Sequence, residues 1–442
     1  MLAFTTAAGL FTSLIAGLGP ALRLIRQHSS LRLHDGGRSA TASVEKQRLR
    51  SAFVVAEVAL AFLLLTGTGL FLASLRQLQH VDPGFNPKGV LTGQVFYSGN
   101  DFKHNKQQQA SFLDTVTGNL AAQPGVTAVA AIQPLPFDPT QISSSSFGIA
   151  GRPLGPNDPG PHSHIAYATS DYLKVMQIPL VAGRWISAQD RPGTQPVVVI
   201  DSRLAKRYWP NQNPIGQHLK NDEDDHGKPV EIIGVIATIR DNSLEEDTTD
   251  GTRYYSAEQT NYLQNINFVL RASGNPNGYI PAMQRAVTAA NGAQTATSLQ
   301  PLEDLVAGSL AGRRLIVDML AAFAGLALLL AIVGIYGLIS YVTSQRTNEV
   351  GIRMALGAQR VDVVKLVLTE ALRWVASGLA IGILLSLAST AILRHSFTAF
   401  GAGVLPSLTT AATVLAAVGV FAAFLPARKA ASIDPVQALR NE

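Results

Sequence analysis

The chain has 442 residues, with 35 basic and 30 acidic side chains, a net charge of +5 and no cysteine. Charged residues make up 15% of the sequence, whereas an average soluble protein has about 25%. This composition excludes a disordered chain, a disulfide scaffold and a zinc-finger protein, and it indicates that part of the chain lies where charge is not tolerated.

Five apolar segments are long enough to cross a membrane, because a helix needs about 20 mostly apolar residues to span a hydrocarbon core of roughly 30 Å. Only one of them contains an acidic or basic side chain, Glu57, which we interpret as a packed boundary residue, with an interhelical contact as the alternative. We therefore predict a membrane protein with an α-helical bundle of about five spans, at residues 1–22, 51–75, 319–345, 374–393 and 396–427.

The basic side chains predict the orientation of these spans, since Lys and Arg are in excess in cytoplasmic loops. Residues 23–50 have seven basic against two acidic side chains, residues 343–365 have four against two, and residues 426–442 have three against two. Residues 76–313 have 18 basic against 21 acidic side chains. The net positive charge is thus explained by the orientation of the spans in the membrane, and we predict no nucleic-acid partner.

The 238 residues between the second and third spans predict a large extracytoplasmic α/β domain of one or two lobes, with one lobe inserted into another as a possibility. Apolar runs of the buried-strand type alternate with helical patterns and with proline- and glycine-rich turns. The predicted strands are 90–97, 126–132, 164–169, 197–200, 230–239 and 268–272, and the predicted helices are 104–123, 202–208 and 279–290.

No catalytic pattern occurs in the chain: it lacks a Gly-x-Ser-x-Gly elbow, a His-Glu-x-x-His pair and a Walker loop. His162 and His164 can share a strand face, but no Cys or Glu stands beside them at metal spacing, so we interpret them as a solvated strand end. The acidic run at residues 222–226 lacks the spaced ligands of a calcium loop and is interpreted as a hairpin tip. We expect no enzyme activity, no cofactor and no metal.

The loop between the third and fourth spans has a distinctive pattern. Residues 345–358 read QRTNEVGIRMALGA, with Glu349 and Arg353 at i, i+4 and four small residues that allow another surface to approach closely. Residues 360–374 predict an amphipathic helix along the inner membrane surface that turns into the fourth span at Trp374. Glu370 and Arg373 stand at i, i+3 and can pair just before that turn.

Residues 349–358, EVGIRMALGA, closely resemble the signature of FtsX-like permeases of the MacB type. The resemblance continues at residues 330–337 and 426–440, and the outer domain resembles the MacB-like periplasmic core domain at residues 181–184, 196–200, 208–210 and 214–216. The family resemblance implies that the inner loop is a coupling segment on which an ABC ATPase docks. Its residues are Arg346, Glu349, Val350, Gly351, Ile352, Arg353, Met354, Ala355, Leu356, Gly357 and Ala358.

The resemblance implies a permease subunit of an ABC-type exporter or mechanotransmission complex in the inner or plasma membrane. Its partners would be an ABC ATPase subunit, a second permease half or homodimer partner, and the lipid bilayer. An FtsX-like regulator that activates an envelope enzyme without export is the alternative. A membrane-anchored hydrolase is disfavoured by the missing nucleophile and metal patterns.

The segment before residue 51 resembles the end of another permease half, because residues 19–21 align with residues 425–427. The chain is therefore similar to the C-terminal half of a duplicated orphan permease of the ADOP type, and a gene fragment is the alternative. The expected division is a first span (1–22), a basic cytoplasmic linker (23–50), a second span (51–75), the extracytoplasmic domain (76–313) and an FtsX-like domain with three spans (314–442).

Overall fold

A computed structural model describes residues 39–97, 105–138, 143–152, 160–220, 229–244, 250–260, 263–356, 359–393 and 404–432. The chain divides into two compact units. The first, called the sheet unit, holds residues Leu70–Met319, and the second, called the helical unit, is formed by the chain before and after it. The predicted first span at residues 1–22 and the acidic run at 222–226 lie outside the described residues.

Helices and strands are numbered here in chain order within the described residues. The helices are α1 (Ser39–Gln79), α2 (Lys106–Ala121), α3 (Tyr172–Met176), α4 (Ser202–Tyr208), α5 (Ile280–Ala290), α6 (Leu302–Gly308), α7 (Ala311–Gln345), α8 (Thr347–Ala355), α9 (Arg360–Leu393) and α10 (Val404–Ala430). The strands are β1 (Val90–Phe96), β2 (Val126–Gln133), β3 (Ser144–Ser146), β4 (Gly148–Ile149), β5 (His162–Ala168), β6 (Leu180–Gly183), β7 (Val197–Asp201), β8 (His218–Lys220), β9 (Pro229–Ile236), β10 (Thr252–Ser256), β11 (Asn265–Ala272) and β12 (Ala296–Pro301).

Four of the described helices, α1, α7, α9 and α10, are long and apolar enough to cross a membrane. They correspond to four of the five predicted spans, and they confirm a membrane protein with a helical bundle. These candidate spans are 27 to 35 residues long, more than the roughly 20 residues that a hydrocarbon core requires.

In the sheet unit, the twelve described strands form one sheet in the order β12-β1-β11-β2-β5-β10-β7-β9-β8-β4, with β3 beside β5 and β6 beside β9. Strand β10 runs parallel to β5 and β7 runs parallel to β9, while the neighbours β1 and β11 are antiparallel. This mixed sheet confirms the α/β class. A single sheet runs through the described strands of this unit.

Both faces of the sheet carry a core, and β7 shows why its sequence is apolar throughout. Side chains alternate between the two faces of a strand, so Val198 and Ile200 pack into one hydrophobic cluster while Val197 and Val199 pack into the other. Strands covered on both faces read as continuous apolar runs. The end of β7 also begins α4, because Asp201 Oδ1 accepts a hydrogen bond of 2.8 Å from the Leu204 amide.

A close backbone approach joins β6 to β9. Gly183 of β6 is paired with Gly234 of β9, and a Cβ atom added to Gly234 would collide with the carbonyl oxygen of Arg184. Arg184 then makes a bidentate ion pair with Asp190, with nitrogen–oxygen distances of 2.7 and 2.8 Å. Position 234 therefore has room only for glycine.

Helix contacts in the helical unit are made through small residues. A Cβ atom added to Gly378 of α9 would lie 2.7 Å from the Val58 side chain and 3.0 Å from the Val55 carbonyl oxygen, both on α1. A Cβ atom added to Gly382 would lie 2.9 Å from the Phe62 side chain of α1. Small residues four positions apart let two membrane helices approach closely, which replaces the hydrophobic driving force that lipid does not supply. Helix α9 therefore packs against α1 along a glycine ridge.

The glycine ridge predicts the outcome of a substitution. Gly378→Leu should lower the stability of the helical unit by about 2 kcal/mol, because overpacking a close contact forces side chains and backbone apart. The measurement is the heating temperature at which half of the detergent-purified chain is lost from its size-exclusion peak. Gly337→Leu on α7 is the matched control, since a Cβ there meets nothing within 4 Å. Equal melting of the two variants would contradict the glycine contact.

The predicted turn at Trp374 is wrong. Helix α9 continues without a break from Arg360 to Leu393, because the sequence offers no proline and no glycine before Gly378 that would end it. The apolar spacing predicts a buried stripe at Val361, Val364, Leu368 and Leu372. Instead, Val363 and Ala371 are buried, while Val361 and Leu372 are 55% and 43% exposed. The first turns of α9 thus continue a candidate membrane span without a break in the helix.

Glu57 is an interhelical contact rather than a boundary residue. A Cβ atom on Gly334 of α7 would collide with its Oε2 atom, so the carboxylate lies directly against the α7 backbone. Oε2 is buried and has no hydrogen-bond partner among the described residues. Glycine at position 334 is what makes room for a carboxylate between the two helices.

Candidate docking segment

Helix α8 carries most of the predicted coupling residues, and it follows α7 almost directly. Helix α7 ends at Gln345, Arg346 is the N-cap residue, and α8 begins at Thr347. Glu349 lies in the first turn and Arg353 in the last turn, which complements the helix dipole. The two side chains form the predicted i, i+4 ion pair at 2.6 Å. The predicted residues Gly357 and Ala358 lie outside the described residues.

One face of α8 is packed against the ends of two membrane helices. Val350 is 4% exposed and shares a small hydrophobic cluster with Val363 of α9 and with Ala430 and Ala431 at the end of α10. Met354 packs against the same cluster. Gly351 is also buried. Val350 and Met354 thus form the side of α8 that packs against the two neighbouring helices.

The opposite face of α8 is exposed and mixes charge with large apolar side chains. Glu349 and Arg353 have side chains that are 48% and 51% exposed. Ile352 is 48% exposed and Leu356, just after the helix, is 83% exposed. These four residues, at i, i+3, i+4 and i+7, define what we call the docking face. The docking face thus places two exposed apolar side chains, Ile352 and Leu356, beside the Glu349–Arg353 ion pair.

Arg346, which the sequence assigned to the same segment, points elsewhere. Its guanidinium forms an ion pair of 3.0 Å with Glu370 of α9. Glu370 therefore pairs with a residue 24 positions away rather than with Arg373 as predicted. Beside this pair is an apolar cavity whose lining includes Ile339, Val342, Val350, Leu366, Val367 and Trp374. The ion pair thus ties the α7–α8 junction to α9.

A further contact at this end of the bundle was missed by the sequence analysis. The guanidinium of Arg50 on α1 lies 4.1 Å from the centre of the Tyr341 ring on α7, a distance at which a cation is attracted to the ring face. A basic residue and a tyrosine near the ends of two predicted spans are the signal that could have indicated it, since both types collect at membrane interfaces.

Comparisons with known proteins match both parts of the chain. Residues 53–305 match the family model of the MacB-like periplasmic core domain, and residues 321–435 match that of the FtsX-like permease C-terminal region. The chain is 29% identical over 291 residues to the macrolide export ATP-binding/permease protein MacB of Marinobacter nauticus, covering 64% of this chain and 44% of that protein. It is 26% identical over 289 residues to the pyoverdine export ATP-binding/permease protein PvdT of Pseudomonas aeruginosa, covering 64% and 42%. The chain spans less than half the length of these curated relatives.

Solved structures of similar regions include the periplasmic region of MacB from Actinobacillus actinomycetemcomitans, with 14% identity, a TM-score of 0.33 and coverage of 52% of this chain and 95% of that one. The extracellular domain of the noncanonic ABC-type transporter YknZ from Gram-positive bacteria has 16% identity, a TM-score of 0.29 and coverage of 47% and 100%.

Proposed function

Since the chain belongs to the family of membrane permeases with a MacB-like periplasmic core domain and an FtsX-like C-terminal region, as its sequence resemblance predicted, we propose that it is the permease subunit of an ABC-type exporter or mechanotransmission complex. A separate ATPase docks on the docking face and its hydrolysis of ATP moves the sheet unit. The proposal places the chain in the inner or plasma membrane, with α8 in the cytoplasm and the sheet unit outside.

The observation that carries this proposal is the two-sided environment of α8. Its inner face is packed against α9 and α10, while its outer face presents Ile352 and Leu356 to solvent. A partner that binds the outer face therefore acts on a helix whose other side contacts two membrane helices. Such an arrangement supports the transmission of movement, because packed side chains pass on displacement rather than absorb it.

The charge distribution supports the orientation. Residues 343–365, which include α8, carry four basic and two acidic side chains, as cytoplasmic loops do. The sheet-unit side of the chain, residues 76–313, carries 18 basic and 21 acidic side chains. An ATPase needs the ATP of the cytoplasm, so the positive side is the one on which it would dock.

The test exchanges the charges of the docking face. In the double variant Glu349→Lys with Arg353→Glu, the i, i+4 pair is retained in its less favourable order, which costs the helix about 0.5 kcal/mol. The surface presented to a partner is inverted. We expect the full-length chain to lose co-purification with its ABC ATPase at least tenfold and to lose stimulation of ATP hydrolysis. The measurement is pull-down from co-expressing cells, followed by ATPase assays in lipid nanodiscs.

Lys365→Glu is the matched control, because it reverses an exposed charge on α9 outside the docking face. It should leave association and ATPase stimulation unchanged. Retention of both properties by the double variant would show that α8 is not the ATPase-docking surface. Leu356→Asp should act in the same direction as the double variant, since it removes the most exposed apolar contact of the face.

A further inference from the structure

The carboxyl group of Glu57 lies inside the helical unit, and the proposed function does not use it. Its Oε2 atom is buried and has no hydrogen-bond partner among the described residues. A Cβ atom added to Gly334 of α7 would collide with this oxygen, so the oxygen lies against the backbone of α7. Ionisable side chains within a membrane are costly and usually have a function, and this one calls for an explanation.

A second contact between α1 and α7 indicates the depth of Glu57 in the bilayer. The guanidinium of Arg50 lies 4.1 Å from the centre of the Tyr341 ring, and both residue types collect at the membrane interface. Glu57 is seven residues after Arg50, and Gly334 is seven residues before Tyr341. The two contacts therefore lie about 10 Å apart along antiparallel helices. In a hydrocarbon core roughly 30 Å thick, Glu57 lies among the acyl chains rather than among the headgroups.

An ionised Glu57 would have no cation beside it in the spans that the structure describes. No Lys, Arg or His occurs in these spans, taken as residues 51–75, 319–345, 374–393 and 404–427. Their other titratable side chains are Tyr336 and Tyr341. Tyr336 is two positions from Gly334 and therefore points about 200° away from it around α7, while Tyr341 contacts Arg50. A carboxylate here would be an uncompensated charge, which an apolar medium strongly disfavours.

The α7 backbone beside Glu57 can accept a hydrogen bond but has none to donate. In the interior of a helix each N–H group is bonded to the carbonyl oxygen four residues earlier, whereas that oxygen keeps a second lone pair. Gly334 lies well inside α7, which runs from Ala311 to Gln345, so its N–H group is used in this way. A carboxylate only accepts hydrogen bonds, while a protonated carboxyl carries an O–H donor. The surroundings of Oε2 therefore suit the protonated form alone.

We propose that Glu57 is a proton-binding site of the helical unit, where the protonated carboxyl donates its O–H group to a backbone carbonyl oxygen of α7. The residues next to the contact, Val54 and Val58 on α1 and Ala331 and Ile335 on α7, are buried in one hydrophobic cluster. A carboxyl that stays protonated at neutral pH has a reactivity that carboxylates in water lack. This inference does not depend on the docking of an ATPase.

The test is modification of the full-length chain in lipid nanodiscs by dicyclohexylcarbodiimide, a lipid-soluble reagent. The carboxyl proton adds to one nitrogen of the reagent and the carboxyl oxygen adds to its central carbon, after which the acyl group migrates from that oxygen to the other nitrogen. No group leaves, so the peptide gains the mass of one reagent molecule. At pH 7 we expect Glu57, which is only half-buried as a residue, to react at least tenfold faster than Glu349, whose side chain is 48% exposed. Peptide mass spectrometry measures both rates.

Two variants of α1 complete the test. Glu57→Gln should abolish the label and keep the Tm of the detergent-purified chain within about 2 °C, because the amide has the same shape and supplies an N–H donor. Leu60→Glu places a carboxyl on the exposed side of α1 at nearly the same depth, and its label shows that the reagent reaches this part of the helix.

Three outcomes would overturn the proposal. The first is a label at position 60 of the Leu60→Glu variant with none at Glu57 of the same chain. The second is equal rates of modification at Glu57 and Glu349. The third is a larger fall in the Tm of Glu57→Gln, which would show that a carboxylate and a counter-charge, rather than a proton, hold the contact with α7.

Discussion

Reversing one charge of the Arg346–Glu370 pair should uncouple the ATPase from the membrane helices without releasing it. In Glu370→Arg, two guanidinium groups face each other where an ion pair of 3.0 Å joins the α7–α8 junction to α9. Two like charges about 4 Å apart repel by about 4 kcal/mol near a protein surface, and because the Arg346 side chain is 43% exposed, screening reduces this value considerably. We expect stimulation of ATP hydrolysis to fall about tenfold while co-purification is retained.

The double exchange, Arg346→Glu with Glu370→Arg, restores an ion pair and should recover most of the stimulation. Arg373→Glu on the same helix is the control, because Arg373 forms no ion pair with the residues that the structure describes, and it should behave like the unaltered chain. Failure of the double exchange to recover more than the single variant would contradict the role of the pair. Loss of co-purification in Glu370→Arg would instead assign Arg346 to the docking face.

Gly234→Ala should strongly destabilise the sheet unit. The added methyl group would lie against the carbonyl oxygen of Arg184, which is backbone and cannot rotate away, so β6 and β9 must separate. We expect a loss of about 3 kcal/mol, within the upper part of the range for single substitutions. For a unit of this size, the loss corresponds to a fall in Tm of about 10 °C, measured by tryptophan fluorescence on the full-length chain.

Gly292→Ala makes the same chemical change at a position in the same unit where a Cβ meets nothing within 4 Å. Its Tm should stay within about 2 °C of that of the unaltered chain, since surface substitutions usually change stability by less than 0.5 kcal/mol. A similar Tm for the two variants would mean that β6 and β9 can separate without cost at this point.

Much of the fold could be predicted because its signals are local. The apolar runs of α1, α7, α9 and α10 are membrane spans by length alone, and the buried run of β7 is recognisable because both of its faces are covered. Helix α4 begins and ends where the sequence predicts, at Ser202 and Tyr208, since Asp201 supplies its N-cap. Each of these features depends on residues that are neighbours in the sequence.

Features that depend on distant partners could not be predicted. Strand β10 contains Arg253, and arginine is usually exposed, yet this side chain is fully buried. Its guanidinium donates hydrogen bonds to Ser163, Tyr255 and Ser145. Its Cζ atom lies 4.4 Å from the centre of the Phe147 ring. Glu370 had a local candidate partner in Arg373, yet it pairs with Arg346. The sequence identified the coupling segment as a whole. Only the packing of α8 separates the exposed residues of the docking face from the buried residues Val350 and Gly351.

The uninterrupted course of α9 also determines how far the docking segment lies from lipid. A helix rises 1.5 Å per residue, so the stretch from Trp374 back to Arg360 extends about 20 Å along the helix axis. If Trp374 marks the interface, as tryptophan does in membrane helices, Arg360 lies up to that distance from it, whereas Val350 of α8 lines the same cavity as Trp374. A partner on the docking face would therefore meet α8 near the membrane surface, where the charge of the lipid headgroups acts within a Debye length of about 8 Å.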